Sequence, residues 1–154
     1  MRIAVLGTGS VGRTLAARFA ELGHTVTMGT RDPEATRARP EVEEAPGITL
    51  ATFADAVADV DVVVSALGGA VTLEVLGELK DSLAGTVLVD VGNPLDFSAG
   101  FPPTLSVKDT DSLGEQVQRL LPDTKVVKTL NTMNAAVMAH PERVGDGDHT
   151  VFVS

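Results

Sequence analysis

The sequence predicts a doubly wound α/β domain, with a mainly parallel sheet flanked by helices. Three observations carry that expectation. Short β-prone runs alternate with helix-length stretches along the chain. The run Asp61-Val62-Val63-Val64-Ser65-Ala66-Leu67 is almost continuously apolar, as a strand covered on both faces must be. A glycine-rich turn stands between the first β-prone run and the first helical stretch. With 154 residues, 44% hydrophobic and 21% charged, the chain is sized for one domain over 1–154 with a substantial core.

Residues 2–6 read as the first strand. Residues 13–22 place Leu15, Phe19 and Leu22 at helical spacings, with Val11 one turn earlier and Gly23 as the stop. Residues 24–28 read as a second strand because Thr25, Val26 and Thr27 are β-branched. Asp32 caps the next helix, Pro33 fits its first turn, and Pro40 bounds it. Residues 41–47 are turn-like, 48–50 a short strand and 52–58 a short helix. The apolar run 61–67 leads through Gly68-Gly69 to a helix over 71–83, despite Gly77. A strand over 86–91 ends in Gly92-Asn93-Pro94. The longest irregular stretch is 96–110, an active-site loop or plain surface, in which Phe97, Phe101, Pro102 and Pro103 form an apolar wall or anchor the loop. A helix over 112–121, a strand over 125–130, a helix over 132–139 and a strand over 150–153 complete the order.

Twelve Lys+Arg against 21 Asp+Glu give a formal charge of -9, which argues against non-specific nucleic-acid binding. Five Phe with no Trp or Tyr offer little aromatic platform for bases. The absence of cysteine removes disulfides and thiolate metal sites. His140 and His149 fall into no metal-ligand spacing with the acids, and His24 reads as a helix–strand junction, so no metal site is expected. The opening residues meet glycine at once, without the apolar region of a secretory signal. No run approaches the roughly 20 apolar residues of a membrane span. The expectation is a soluble, cytoplasmic protein whose partner is a small molecule rather than nucleic acid or membrane.

Gly7-Thr8-Gly9-Ser10-Val11-Gly12 fits G-x-G-x-x-G in its proper context, strand before and helix after. Gly7 permits the tight turn, Gly9 leaves room for a pyrophosphate at the backbone, and Gly12 allows close packing of helix on strand. The helix start offers free N–H groups and a favourable dipole to phosphate. This is the fingerprint of a Rossmann-type dinucleotide site, shared by FAD and nicotinamide cofactors. At the end of the second strand, Thr30 and Arg31 stand where the adenosine ribose approaches; a hydroxyl and a guanidinium there suit the 2′-phosphate of NADP. The spacing also brings Asp32 toward an NAD ribose, but Pro33 beside it favours the capping role. Arg37 or Arg39 adds positive potential there or, the favoured reading, is a solvated helix-end charge.

These segments resemble the nucleotide-binding region of the NADPH-dependent coenzyme F420 reductases, the F420-dependent NADP oxidoreductases. The resemblance runs through Arg2-Ile3-Ala4-Val5-Leu6-Gly7-Thr8-Gly9-Ser10-Val11-Gly12, Gly29-Thr30-Arg31, Ala66-Leu67-Gly68-Gly69-Ala70 and Val126-Val127-Lys128-Thr129-Leu130-Asn131-Thr132-Met133. Membrane ferric reductases and several imine and β-hydroxyacid reductases are similar at this level. The resemblance implies that Thr8, Gly9, Ser10 and Val11 line the pyrophosphate, that Thr30 and Arg31 hold the 2′-phosphate, and that Ala66, Leu67, Gly68 and Gly69 run along the cofactor. It brings Asn93, Pro94, Asn131, Thr132, Met133 and Asn134 toward the junction of nicotinamide and deazaflavin. Members of the family continue beyond the strand resembling residues 149–154. The expectation is therefore an NADP-binding domain lacking a C-terminal helical segment on which the F420 pocket and a homodimer surface draw.

The implied chemistry is reversible hydride transfer between NADP(H) and F420(H2), the second acting as substrate. The cofactors carry the hard step, so neither nucleophile nor metal is needed. Asn131 is the main polar candidate for orienting a ring, since its amide both donates and accepts; the alternative is a helix cap. Asn93 is a second orienting group or a turn residue, and Met133 packs on a ring or in the core. Lys128 favours a polyanion or is structural, and Asp90 reads as a strand-end hydrogen-bonding residue. Two other functions fit the same motifs: an NADP-dependent reductase of a different small molecule, and an inactive NADP-binding regulatory domain.

Overall fold

Alternation along the first strand divides the core in two. In β1 (Arg2–Leu6), Ala4 and Leu6 point to one face and Ile3 and Val5 to the other, and all four are buried. A strand buried on both faces needs a sheet covered on both sides, and the computed structural model, which describes residues 1–42, 45–148 and 150–154, has that architecture. The order is β1, α1 (Ser10–Glu21), β2 (Thr25–Thr30), α2 (Pro33–Arg37), β3 (Ile48–Thr52), α3 (Phe53–Ala56), β4 (Val62–Ser65), α4 (Gly69–Glu78) and β5 (Val87–Asp90). It continues with β6 (Leu95–Asp96), β7 (Thr104–Leu105), α5 (Leu113–Leu120), β8 (Lys125–Lys128) and α6 (Ala135–Ala139), then two short 3-10 turns.

Six strands form one sheet in the order β3-β2-β1-β4-β5-β8, every pair parallel. The chain winds outward from β1 to β3, then returns to β4 on the other side of β1, so the order reverses between β1 and β4. Leu6, Val63 and Leu88 pack with Leu76 of α4 and Val117 of α5. On the opposite face Val5, Val26, Met28 and Val64 pack against Leu15 and Ala16 of α1.

The expected alternation of strands and helices is observed, with local differences. α1 starts at Ser10 rather than residue 13, because Gly9 is extended and its carbonyl already accepts from the Arg13 N–H at 3.0 Å. α1 ends at Gly23, φ +84, where His24 N–H bonds Phe19 O and Gly23 N–H bonds Ala20 O; glycine takes this left-handed turn without strain. α4 stops at Glu78, not residue 83, and the chain continues in turns that still bury Leu79 and Leu83. The irregular stretch contains the antiparallel pair β6–β7, too short to carry a periodicity. The expected strand at 150–153 reduces to one antiparallel bridge, Thr129 to Val153, with Ser154 and Lys128 exchanging backbone bonds of 2.7 and 3.0 Å. That contact covers part of the free edge of β8. His149 lies outside the described residues.

Buried side-chain polar atoms are satisfied with one exception among the described residues: the Ser65 hydroxyl at the end of β4 has no hydrogen-bond partner. An unpaired buried hydroxyl is unfavourable by about 1–3 kcal/mol. Replacing Ser65 with Ala is therefore expected to leave the urea midpoint unchanged or raise it. Leu88→Ala, at a fully buried position on the same face, should lower stability by about 2–5 kcal/mol. A comparable loss from Ser65→Ala would show that its hydroxyl is paired after all.

Candidate dinucleotide site at the switch point

The C-terminal ends of β1 and β4 diverge where the strand order reverses, which is where open α/β sheets bind ligands. The turn after β1 is set by three glycines with different roles. Gly7 has φ +106, and a Cβ there would meet Ala66 O at 2.7 Å. A Cβ on Gly12 would meet Gly7 O at 2.0 Å, so the first turn of α1 lies directly on the loop that precedes it. Gly9 faces open space, with nothing within 4 Å of its would-be Cβ.

Helix capping singles out the same place. Four α-helices are capped by side chains: Asp32 on α2, Thr52 on α3, Ser112 on α5 and Asn134 on α6. α1 and α4 start at Gly9 and Gly68 with no side-chain cap and no acid in the first turn. These two starts flank the switch point, and their orphan N–H groups keep a partial positive charge for an anion. Gly68, like Gly9, has nothing within 4 Å of its would-be Cβ, while a Cβ on Gly69 would lie 2.4 Å from Pro94 Cα. Ala66 packs on the α1-side core and Leu67 is buried, so this segment forms the wall between the two helix starts. Ser10 is exposed and Val11 half-buried.

At the end of β2, Arg31 is exposed and makes no hydrogen bond or ion pair among the described residues. Thr30 is buried, and its hydroxyl shares a 2.8 Å hydrogen bond with that of Thr36. Asp32 is committed to its capping bond, Oδ1 accepting from Ala35 N–H at 3.0 Å. Thr30 and Arg31 line a cleft of about 330 Å³ closed by Phe53 of α3 and by Glu74, Val75 and Glu78 of α4. A larger groove of about 700 Å³ opens on the α1 face beside Met28, Ile48 and Leu50, and Arg13 and Glu41 also line it.

Arg39 is the residue that sequence reasoning misjudged. Its Nη1 donates to the Thr8 hydroxyl and its Nη2 to the Thr8 carbonyl, both at 2.9 Å, while Nε donates to Glu41 at 2.9 Å. Arg13 Nη1 adds a 2.8 Å bond to the same Thr8 carbonyl. The solvated helix-end charge is instead a support under the glycine turn. Backbone hydrogen bonding first, and the Arg39 side chain second, hold the Glu41 carboxyl below its ordinary value, so it stays anionic opposite Arg39 at neutral pH. A basic residue just after a short helix was the only signal in the sequence.

The other end of the site is polar and internally paired. Asn93 Nδ2 donates to Asn131 O at 2.8 Å, and Asn131 Nδ2 donates back to Asn93 Oδ1 at 3.2 Å. Asn131 does not cap α6; Asn134 does, accepting from Val137 N–H at 3.1 Å. Leu130 turns the chain toward Asn131 at φ +61, a left-handed conformation unfavourable by about 1–2 kcal/mol outside glycine. Met133 is half-exposed, whereas Met138 of α6 packs against the α1-side core that holds Met28. Lys128 is neither solvated nor forward-facing, since its ammonium lies 3.0 Å from the buried Asp90 carboxylate. Phe97 and Phe101 are 58% and 90% exposed, so they do not anchor their loop to the fold. Among the described residues no three His, Asp or Glu side chains gather as metal ligands, and no helix is long and apolar enough to cross a membrane.

A glycine turn under an uncapped helix, at the switch point of a parallel sheet and beside an arginine with no partner among the described residues, defines a Rossmann-class dinucleotide-binding fold. The profile described as "NADP oxidoreductase coenzyme F420-dependent" matches residues 2–94, and the chain belongs to that family of NADP-dependent oxidoreductases. It is 32% identical to the F420-dependent NADP reductase of Methanocaldococcus jannaschii, over 96% of this chain and 70% of that protein. A crystal structure of a candidate F420-dependent NADP-reductase from Arthrobacter sp. FB24 superposes with TM-score 0.94 at 56% identity, covering all of this chain and 73% of that one. The metalloreductase STEAP3 of Rattus norvegicus is 30% identical over 99% of this chain but only 28% of its own length.

The glycines give a direct check. Gly12→Ala forces backbone against backbone and should lower stability by about 1–3 kcal/mol. Gly9→Ala should lower it by less, about 0.5–1 kcal/mol, the difference between glycine and alanine as an N-cap. Denaturant titration of the two variants decides; equal losses would mean that the open face at Gly9 is not open.

Proposed function

We propose that this chain transfers a hydride between NADP(H) and coenzyme F420(H2), the deazaflavin acting as the second substrate. The observation that carries it is the pair of uncapped helix starts at the switch point, beside an arginine with no described partner, in a chain of this family. When bound, the nicotinamide C4 and the deazaflavin C5 supply the two ends of the hydride transfer. The chain binds and orients them.

Backbone N–H groups at Ser10 and Val11, reached across Gly9, receive the pyrophosphate, and Gly68 and Gly69 present the second helix start beside Ala66 and Leu67. Arg31 takes the 2′-phosphate together with the Thr8 hydroxyl, which Arg39 orients. Thr30 acts from behind, its bond to Thr36 fixing the end of β2 on which Arg31 stands. Gly7 and Gly12 shape this cradle without touching the ligand. Asn93, Pro94, Asn131 and Met133 frame the nicotinamide end. Asn131 spends one Nδ2 hydrogen on Asn93, leaving its second N–H and Oδ1 to hold a carboxamide.

A charge-assisted bond contributes about 1.5–3 kcal/mol, so Arg31→Ala should raise the NADP dissociation constant roughly 10–100-fold. The NAD constant should stay within about twofold. Titration that leaves both unchanged removes Arg31 from the 2′-phosphate. The second substrate is tested separately, by absorbance, with NADPH or NADH each offered to F420, to flavins and to no acceptor. Bleaching of F420 faster with NADPH than with NADH is the expected result; NADPH binding without any oxidation would favour the regulatory alternative.

A further inference from the structure

Beneath the Asn93–Asn131 pair lies a second polar layer that the cofactor-binding residues do not use. Strand register aligns Ser65 of β4 with Asp90 of β5, and Asp90 with Lys128 of β8, so the three side chains share one face at the C-terminal edge of the sheet. Asp90 is fully buried and the Lys128 side chain is 17% exposed. Asp90 Oδ1 accepts the Gly92 N–H at 3.0 Å, Asp90 Oδ2 accepts from Lys128 Nζ at 3.0 Å, and Lys128 Nζ also donates to the Gly92 carbonyl. Both peptide groups of Gly92 are thus held by one ion pair. The stem of Lys128 runs along the first turn of α5, where a Cβ on Gly114 would lie 3.4 Å from its Cβ and Cγ.

The clamped residue is the one that aims the turn. A Cβ on Gly92 would meet Leu67 O at 3.0 Å, so the turn after β5 presses on the turn after β4. Asn93 follows directly and pairs with Asn131, which is three residues beyond Lys128 and follows the left-handed Leu130. The ion pair therefore ties the ends of β5 and β8 together from below, as the amide pair ties them from above. Stability alone does not call for it, because buried ion pairs are often replaceable by apolar groups without loss. A fixed geometry for the turn does call for it, since an apolar plug leaves the Gly92 carbonyl without its donor.

We propose that Lys128, acting with Asp90, is a positioning residue for the nicotinamide end: it holds Gly92 so that Asn93 and Asn131 present a single geometry to the ring. This rests on the hydride-transfer function proposed above. The proposed pyrophosphate and 2′-phosphate contacts lie at the starts of α1 and α4 and at the end of β2, so affinity and orientation are set by separate residues.

The test compares the full chain with Lys128→Met and with the double variant Lys128→Met/Asp90→Asn. The single variant strands a buried carboxylate and is expected to be less stable; the double variant removes both charges while an amide at 90 still accepts from Gly92 N–H, and recovers the denaturation midpoint. Three quantities are read: the NADPH dissociation constant, the fluorescence anisotropy of bound nicotinamide, and the single-turnover rate to F420. In the double variant the constant should stay within about threefold. Its anisotropy should fall toward that of free NADPH, and the transfer rate should drop by about tenfold to a hundredfold, the usual consequence of misplaced reacting groups. Wild-type anisotropy in the stable double variant overturns the proposal. If wild-type chain binds NADPH yet passes no hydride to F420, the function fails while anisotropy still decides the positioning role. If it binds no NADPH at all, both fall.

Discussion

Everything at the switch point depends on one steric fact, that no side chain fits between the first turn of α1 and the loop before it. The Gly7 carbonyl occupies the place a Cβ on Gly12 would take, at 2.0 Å. That contact starts α1 at Ser10 and aims its first N–H groups over the C-terminal end of β1. It also locks neighbouring elements, since Gly7 N–H bonds Gly29 O of β2 at 3.0 Å and Gly7 itself leaves no room for a Cβ against Ala66 O beyond β4. Loosening this turn moves both walls of the candidate site together.

A chain of net charge -9 that receives a polyanion needs its cations in the right place rather than in number. Here Arg13 and Arg39 converge on Thr8, with Arg31 unpaired at the end of the adjacent strand β2. Among the described residues, Asp32 caps α2 and Glu41 is bonded to Arg39. Glu74 and Glu78 remain on the far wall of the cleft, on α4. Two described guanidinium groups thus gather at the glycine turn, while two acids stand on α4 across the cleft from Arg31. That arrangement suits a ligand that carries phosphate on one side and a neutral base on the other.

The order of strands and helices was legible because it is written in local periodicity and in turn residues: Gly23 ends α1, and Asp32-Pro33 opens α2 just where it was expected. What depends on non-local contacts was not. Residues 10–12 look like loop until Gly9 is known to be extended. Strands of two residues, such as β6 and β7, have no pattern to detect. In the site the glycine turn was readable because its chemistry follows from spacing. The hold of Arg39 on Thr8 spans 31 positions, and that of Lys128 on Asp90 spans 38. Sheet register brings Asp90 and Lys128 together, and the packing of two connecting segments brings Arg39 to Thr8; no local signal encodes either.

The two ends of the site are built on opposite principles, and the contrast has a physical sense. At the phosphate end, donors are left open: uncapped helix starts, an unpaired arginine, glycines facing space. At the other end nearly every polar group is spent inside the protein, on the Asn93–Asn131 pair, on Asp90 and Lys128, and on the Gly92 peptide. Open donors gain by meeting a ligand, so they supply affinity; satisfied networks gain little, but they hold shape. For a reaction whose barrier falls with close and oriented approach, that division is the useful one. In the reaction proposed above, binding energy collected at the remote phosphates would press the reactive ring against a surface already fixed in place. The left-handed Leu130 fits this picture, because local strain persists only where the surrounding structure over-determines it. Here that surrounding structure is the ion pair below Asn93 and the amide pair beside it.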